Sequence, residues 1–249
     1  MSLLVGEALS FFGALADSVA GVEPEQTGRV RMMCATLGRL LELPGAQLRV
    51  LDAAAVLRNA GIFATAVDYE RPASGARICE KFSGLPPGIS DTVRWQCEFW
   101  DGMGYPDRLR AAEIPRTCRV LLAACRYAAC TSEEQAHAVL TGQSGRMFAP
   151  DTTAAFLTWY YTRSAIATSS DLSDLEWIET VDAQNVLAVL RTELGARFRT
   201  RTAQNVRASD AWDVELAAVL YNLRQQAVPV LDRFETLRPV SRLLSEEDA

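Results

Sequence analysis

Histidine and lysine are almost missing from this chain: His137 is its one histidine and Lys81 its one lysine among 249 residues. A single imidazole supports neither a histidine cluster nor a triad built on a paired base. Long apolar runs are missing too. No uninterrupted stretch reaches the roughly 18 residues that span a bilayer. The segment from Ser2 to Ala20 lacks a basic start and carries Glu7 and Asp17, so neither a membrane span nor a cleaved signal is expected. The six cysteines, Cys34, Cys79, Cys97, Cys118, Cys125 and Cys130, include no CxxC pair. They fall mostly within apolar helical patterns, as the buried thiols of a cytoplasmic protein do, and no disulfide framework is expected. A formal net charge of -6 argues against general nucleic-acid affinity and leaves room only for a local anion site. No period-2 alternation long enough for a sheet, no internal repeat and no low-complexity tract occurs.

Helical periodicity fills the space these absences leave. Hydrophobic residues make up 49% of the chain, enough to build a core without staples. Val30, Met33, Cys34, Leu37, Leu40 and Leu41 recur at steps of three and four, the stripe of an amphipathic helix over 27–43 that Pro44-Gly45 stops. Residues 46–59 are apolar on more than one side, as in a helix buried mid-bundle. Pro72, Gly75, Gly84, Pro86, Pro87 and Gly88 predict loop and short turns over 71–90. Pro115 suits the start of a helix running to about Cys130, and Asp151 to Tyr161 predicts another. After a polar break at 168–173, Val186, Leu187, Leu190 and Leu194 mark one long helix. Trp212, Leu216, Val219, Leu220, Leu223 and Ala227 mark a second, read as core or as a dimer seam.

Residues 96–106 read QCEFWDGMGYP, and Ile114-Pro115, Arg119-Val120, Phe148 and Pro150 follow. The combination resembles the HD-GYP family, whose members carry paired histidines, a Glu, a DGxGYP loop, an Ile-Pro that opens a helix and an Arg-Ile or Arg-Val within it. Glu98, Trp100, Asp101, Gly102, Gly104, Tyr105 and Pro106 match inside one eleven-residue window. The resemblance implies an all-α fold: an HD-domain-like helical bundle, expected over residues 1–165, with residues 166–249 as a C-terminal helical extension. Gly102 and Gly104 are read as positions free to take positive φ, with Pro106 restricting the exit of the loop.

The family's histidines and aspartates hold metal ions that bind phosphate and activate water. By the resemblance, Gly28 stands where the first histidine would be, and Arg58 and Asn59 stand at the His-Asp pair. Ile62 replaces a lysine, Gln96 and Cys97 replace the paired histidines, and Cys125 replaces the helix aspartate. A further histidine expected between Asn59 and Gln96 has no counterpart. Arg58 would set a positive charge where a cation belongs. The expectation is therefore that no metal or other cofactor is bound and that the family's phosphodiesterase chemistry is lost.

Several residues carry paired readings. Arg58 is either a phosphate anchor working through paired hydrogen bonds or a filler of the vacated pocket, paired with Glu98 or Asp101. Arg94, Arg108, Arg110 and Arg119 flank the same loop in sequence. Cys97 and Cys125 are either a soft-metal or redox pair or two small plugs. His137 is read as a lone surface side chain. Arg191, Arg197, Arg199, Arg201 and Arg207 form one basic cluster, explained by the end of a helix dipole and not by nucleic acid. The leading expectation is a catalytically inactive regulatory module in cyclic di-GMP signalling. It would present an exposed loop of Asp101, Gly102, Gly104, Tyr105 and Pro106 to another protein. The resemblance implies a GGDEF-domain partner; a homodimer through the C-terminal helices is a further option. The alternatives are a metal-free sensor of cyclic di-GMP built on Arg58 and, third, a phosphodiesterase with an unconventional site using Cys97 or Glu98.

Overall fold

The computed structural model describes residues 2–23, 25–163, 181–197, 227 and 230–234. Among these the chain is all-helical and contains no strand, as the periodicity predicts; one isolated bridge joins Ser144 to Phe148. The elements are α1 (Ser2–Val19), α2 (Gln26–Leu40), α3 (Gly45–Leu57), α4 (Arg71–Cys79), α5 (Ile89–Arg94), α6 (Arg116–Ala128), α7 (Glu133–Gly142), α8 (Pro150–Thr162) and α9 (Ala183–Arg197). No described helix is long and apolar enough to cross a membrane.

The two stripes read from sequence meet each other. The buried Val30, Met33, Cys34 and Leu37 of α2 pack between α6 and α3. All of Val50 to Leu57 in α3 is buried, which is why that helix shows no polar face. Leu51 and Leu57 are wholly inaccessible, and each such side chain contributes roughly 1.5 to 3 kcal/mol relative to exposure. Phe12 of α1 lies 5.0 Å from Phe63 and 5.8 Å from Phe82 between ring centroids, so α1 is stapled to the turn after α3. Tyr127, Phe156 and Trp159 close the other end, with the Tyr127 and Trp159 rings edge-on at 5.4 Å.

The stretch 71–90 differs from expectation, because 71–79 is helix α4 and Ile89 opens α5. Pro72 falls in the first turn, where its missing N–H costs nothing. Gly75 is held by packing: a Cβ there would meet the Gly61 nitrogen and Val93 Cγ1 at 3.1 Å, and one on Gly61 would sit 2.0 Å from the Arg71 carbonyl oxygen. The glycines that read as breakers let α4 lie against the turn after α3. Two helices gave little warning in the sequence, α1 and α7. Ser132 caps α7, accepting from the Gln135 N–H at 3.2 Å, with Glu133 and Glu134 in the first turn. His137 lies on α7, half-buried, its ring 4.6 Å from that of Tyr160 and its Nε2 3.2 Å from the Tyr161 hydroxyl.

Val186, Leu190 and Leu194 of α9 join the same core. The helix is tied down by Asn185, whose Oδ1 accepts from the Ser83 N–H at 2.6 Å and whose Nδ2 donates to the Lys81 carbonyl at 3.0 Å. Lys81 also pairs with Glu193. The stripe from Trp212 to Leu223 and the arginines Arg199, Arg201 and Arg207 lie outside the described residues.

Candidate functional site

The end of α3 delivers Arg58 and Asn59 to a single buried carboxylate. Arg58 Nη2 donates to Asp17 Oδ2 at 2.9 Å and Asn59 Nδ2 donates to Asp17 Oδ1 at 2.7 Å. The Thr27 hydroxyl donates to Asp17 as well. Arg58 Nη1 donates to the Ala55 carbonyl at 2.6 Å and to Thr27 Oγ1 at 3.1 Å. Its partner is therefore Asp17 of α1, and neither Glu98 nor Asp101. Both side chains of the pair are nearly inaccessible, at 4% and 6%. A charge so buried persists because its hydrogen bonds are filled, and this arrangement leaves Arg58 little freedom to turn toward a phosphate.

The other positions singled out by resemblance surround this pair unevenly. Gln96 Nε2 donates to the Arg58 carbonyl at 2.9 Å and to the Val93 carbonyl at 3.0 Å, so it braces the end of α3. Gly28 is exposed on α2, and a Cβ there would meet nothing within 4 Å. Cys125 lies within electrostatic reach of both Arg58 and Cys97. Burial pushes the Cys125 thiol up to about 11, and it raises that of Cys97 too, against the lowering effect of a hydrogen bond with Tyr105. Both sulfurs are held protonated at neutral pH, the reverse of an activated thiolate.

Asp101 to Pro106 is pinned to the core from below. The Trp100 and Asp101 N–H groups donate to the carbonyls of Met147 and Arg146 at 3.2 and 2.9 Å, and the Tyr105 N–H donates to that of Cys97 at 3.1 Å. Arg119 of α6 donates to the Ile114 carbonyl at 2.7 Å and stacks over Trp100 at 5.0 Å. Gly102 takes a φ of +82°, as expected of a glycine in such a turn. Gly104 is needed for another reason: it is buried against the backbone of 97–99, where a Cβ would lie 2.3 Å from the Phe99 nitrogen. Tyr105 is half-buried with its hydroxyl engaged by Cys97, and burial raises it further above its ordinary value. Only Met103 projects fully from the loop. The expected exposed loop is thus mostly a packed one.

Glu98 is the loop's internal post. Its Oε1 accepts from the Asp107 N–H at 2.6 Å, while Oε2 is buried with no hydrogen-bond partner among the described residues. Burial raises its carboxyl above the usual range, opposed by backbone N–H groups of Asp107, Arg108 and Leu109. A carboxyl raised on folding contributes stability below its unfolded value, about 4.3, and loses that contribution as pH rises through its folded one. Glu98→Gln should therefore flatten this part of the pH dependence, gaining on wild type from about pH 4 upward in urea unfolding. A parallel pair of stability curves would show that Glu98 is not the group responsible.

Beside this loop opens a groove of about 870 Å³. One wall is the start of α4 and the short turn before it, with Tyr69, Glu70, Ser74 and Arg77; the other is the loop and its continuation, with Met103, Tyr105 and Arg108. Asp17, Thr27, Tyr69 and Arg77 were not among the expected site residues. Asp17 had a signal, a lone carboxylate inside the apolar stretch 8–20. Tyr69 and Arg77 had none.

The HD domain family matches residues 14–144, more than half of the chain, and the chain belongs to that family. The fold also matches the crystal structure of a cyclic GMP-AMP specific phosphodiesterase from V. cholerae, with a TM-score of 0.67, at 15% identity, over 97% of this chain and 84% of the other. No curated protein matches the chain. The expectation of a non-enzymatic regulatory module is corrected by the first two findings. It took six positions as the loss of the family's phosphodiesterase chemistry, whereas the chain matches the HD domain family and shares its fold with a phosphodiesterase. The residues at those positions nevertheless do not fit a divalent metal: a glycine, a guanidinium, two amides and two protonated thiols stand there, and the nearby carboxylate of Asp17 is spent on Arg58. Among the described residues no group of three His, Cys, Asp or Glu side chains is placed to hold an ion.

Proposed function

We propose that this chain is an HD-GYP-type member of the HD domain family and acts as a phosphodiesterase on a cyclic dinucleotide. The observation that carries the proposal is the open groove beside the DGMGYP loop, of nucleotide size and lined by guanidinium groups in a chain that is acidic as a whole. The fold shared with a cyclic GMP-AMP phosphodiesterase supports it. In the reaction one water adds across a phosphodiester bond of the ring: phosphorus gains the water oxygen, the ribose oxygen leaves with a proton, and a linear dinucleotide results. What the groove residues supply is binding and orientation. The substituted positions differ from the metal-holding pattern, and no step is routed through them.

The test is direct. Purified full chain is incubated with cyclic GMP-AMP and separately with cyclic di-GMP, and products are separated by chromatography. A linear dinucleotide is expected from at least one, its formation abolished when Arg77 and Arg108 are both replaced. Substrate recovered intact under conditions where it saturates the protein would overturn the phosphodiesterase assignment.

A further inference from the structure

Resting on the cyclic dinucleotide reading above, we infer that the groove holds its ligand at two kinds of contact: Arg77 and Arg108 on the phosphates, and Tyr69 with Met103 on a purine base. The first support is where apolar surface is left open. Of the large hydrophobic side chains exposed among the described residues, Tyr69 at 63% and Met103 at 78% both line this groove. They come from different segments, the turn before α4 and the DGMGYP loop. An exposed aromatic ring and a thioether beside cationic groups form a stacking platform for a base.

The second support is the state of the charges. Arg94 lines the same groove but is spent in a two-pronged pair with Asp107, at 2.7 and 2.8 Å. Arg77 and Arg108 form no ion pair with a described carboxylate. Arg77 is exposed on α4 and donates to Ser74 Oγ at 2.9 Å, a neutral partner that orients the guanidinium without cancelling its charge. Arg108 is exposed at a φ of +57°, a left-handed conformation in which a long side chain is uncommon. Such strain persists where the surrounding structure imposes it, and functional loops are where it concentrates. Glu70 also lines the groove, and its Oε2 accepts from the Thr65 hydroxyl at 3.0 Å. Two guanidinium groups unpaired with any described carboxylate match the two phosphates of a cyclic dinucleotide, each suited to two hydrogen bonds per phosphate. A single phosphate would use half of them and none of the aromatic surface.

Calorimetric titration of the full chain with cyclic GMP-AMP tests this, alongside cyclic GMP and inorganic phosphate. Affinity is expected to fall in that order. Arg77→Ala and Arg108→Asn should each weaken cyclic GMP-AMP about tenfold or more, asparagine being chosen because it tolerates the left-handed backbone. Tyr69→Ala should weaken it about tenfold through lost stacking. All three positions are exposed, so melting of each variant should match wild type. Wild-type affinity in all three variants would overturn the assignment of these residues and leave the phosphodiesterase reading standing. Weakened binding in the variants, with wild type binding but never cleaving, would uphold the groove and remove the hydrolysis. Absence of binding by wild type would overturn both.

Discussion

Asp17→Ala is expected to destabilise the chain by about 3 to 5 kcal/mol, the loss typical of a buried ion pair with one partner removed. Asp17 collects three donors from two places: Thr27 at the start of α2, and Arg58 and Asn59 at the end of α3. Without it the Arg58 guanidinium stays 4% exposed with only neutral oxygens for company. The polar tether between α1 and the start of α2 and the end of α3 goes too, leaving apolar contacts such as those of Phe12 to hold α1. Replacing both partners with apolar residues of similar volume, Asp17→Leu with Arg58→Met, should recover most of the loss, because no uncompensated charge remains. Urea unfolding followed by circular dichroism would read all of these variants. A loss below about 1 kcal/mol for Asp17→Ala would mean that water reaches the pair and screens it.

The second large effect is expected at Gly104. Its missing Cβ would lie 2.3 Å from the Phe99 nitrogen and 2.5 Å from both the Cys97 carbonyl oxygen and Glu98 Cα. All three neighbours are backbone, so no side chain can swing aside. Gly104→Ala should cost about 3 kcal/mol, the upper end for inserting a methyl group into packed structure. It should also weaken cyclic dinucleotide binding, since the loop is one wall of the groove. Gly142→Ala is the contrast: it ends α7 with nothing within 4 Å of the added carbon and should be neutral or stabilising by up to about 1 kcal/mol. Equal behaviour of the two variants in thermal melts would show that the loop gives way and is not locked.

Much of the fold was legible in the sequence. The 3.6-residue stripes of α2, α6 and α9 carry their own evidence, because an amphipathic helix must place its apolar residues on one face whatever it packs against. The all-helical class followed from the absence of any period-2 pattern. Family membership showed in the DGMGYP window, although the reason for Gly104 was misread: positive φ is a local property that a glycine suggests, while close backbone approach depends on residues packed across from it. The same confusion hid α4. Gly75 and Pro72 read as breakers, yet one allows contact with Gly61 and the other occupies a first turn.

The leading expectation of an inactive module rested on one set of positions, those the resemblance assigns to metal ligands. The positions that the resemblance assigns to metal ligands can be read residue by residue, and the structure shows what one of them pairs with: Arg58 is matched by Asp17, a carboxylate about forty positions earlier that resemblance alone would not nominate. The groove is a further step removed. Arg77 belongs to a stretch read as loop and Tyr69 lies just before it, and Arg108 meets them only because the turn before α4 and the DGMGYP loop come to face each other.

The sequence by itself determined the helical class, the main apolar faces and the HD kinship, since periodicity and a contiguous motif are properties of neighbouring residues. Tertiary structure alone decided which charges are spent among the described residues, Arg58 and Arg94 in ion pairs, while Arg77 and Arg108 line a groove with no described carboxylate paired to them. The reason is that the fate of a charge depends on what folding brings within a few ångströms of it, and that distance is not written in chain order.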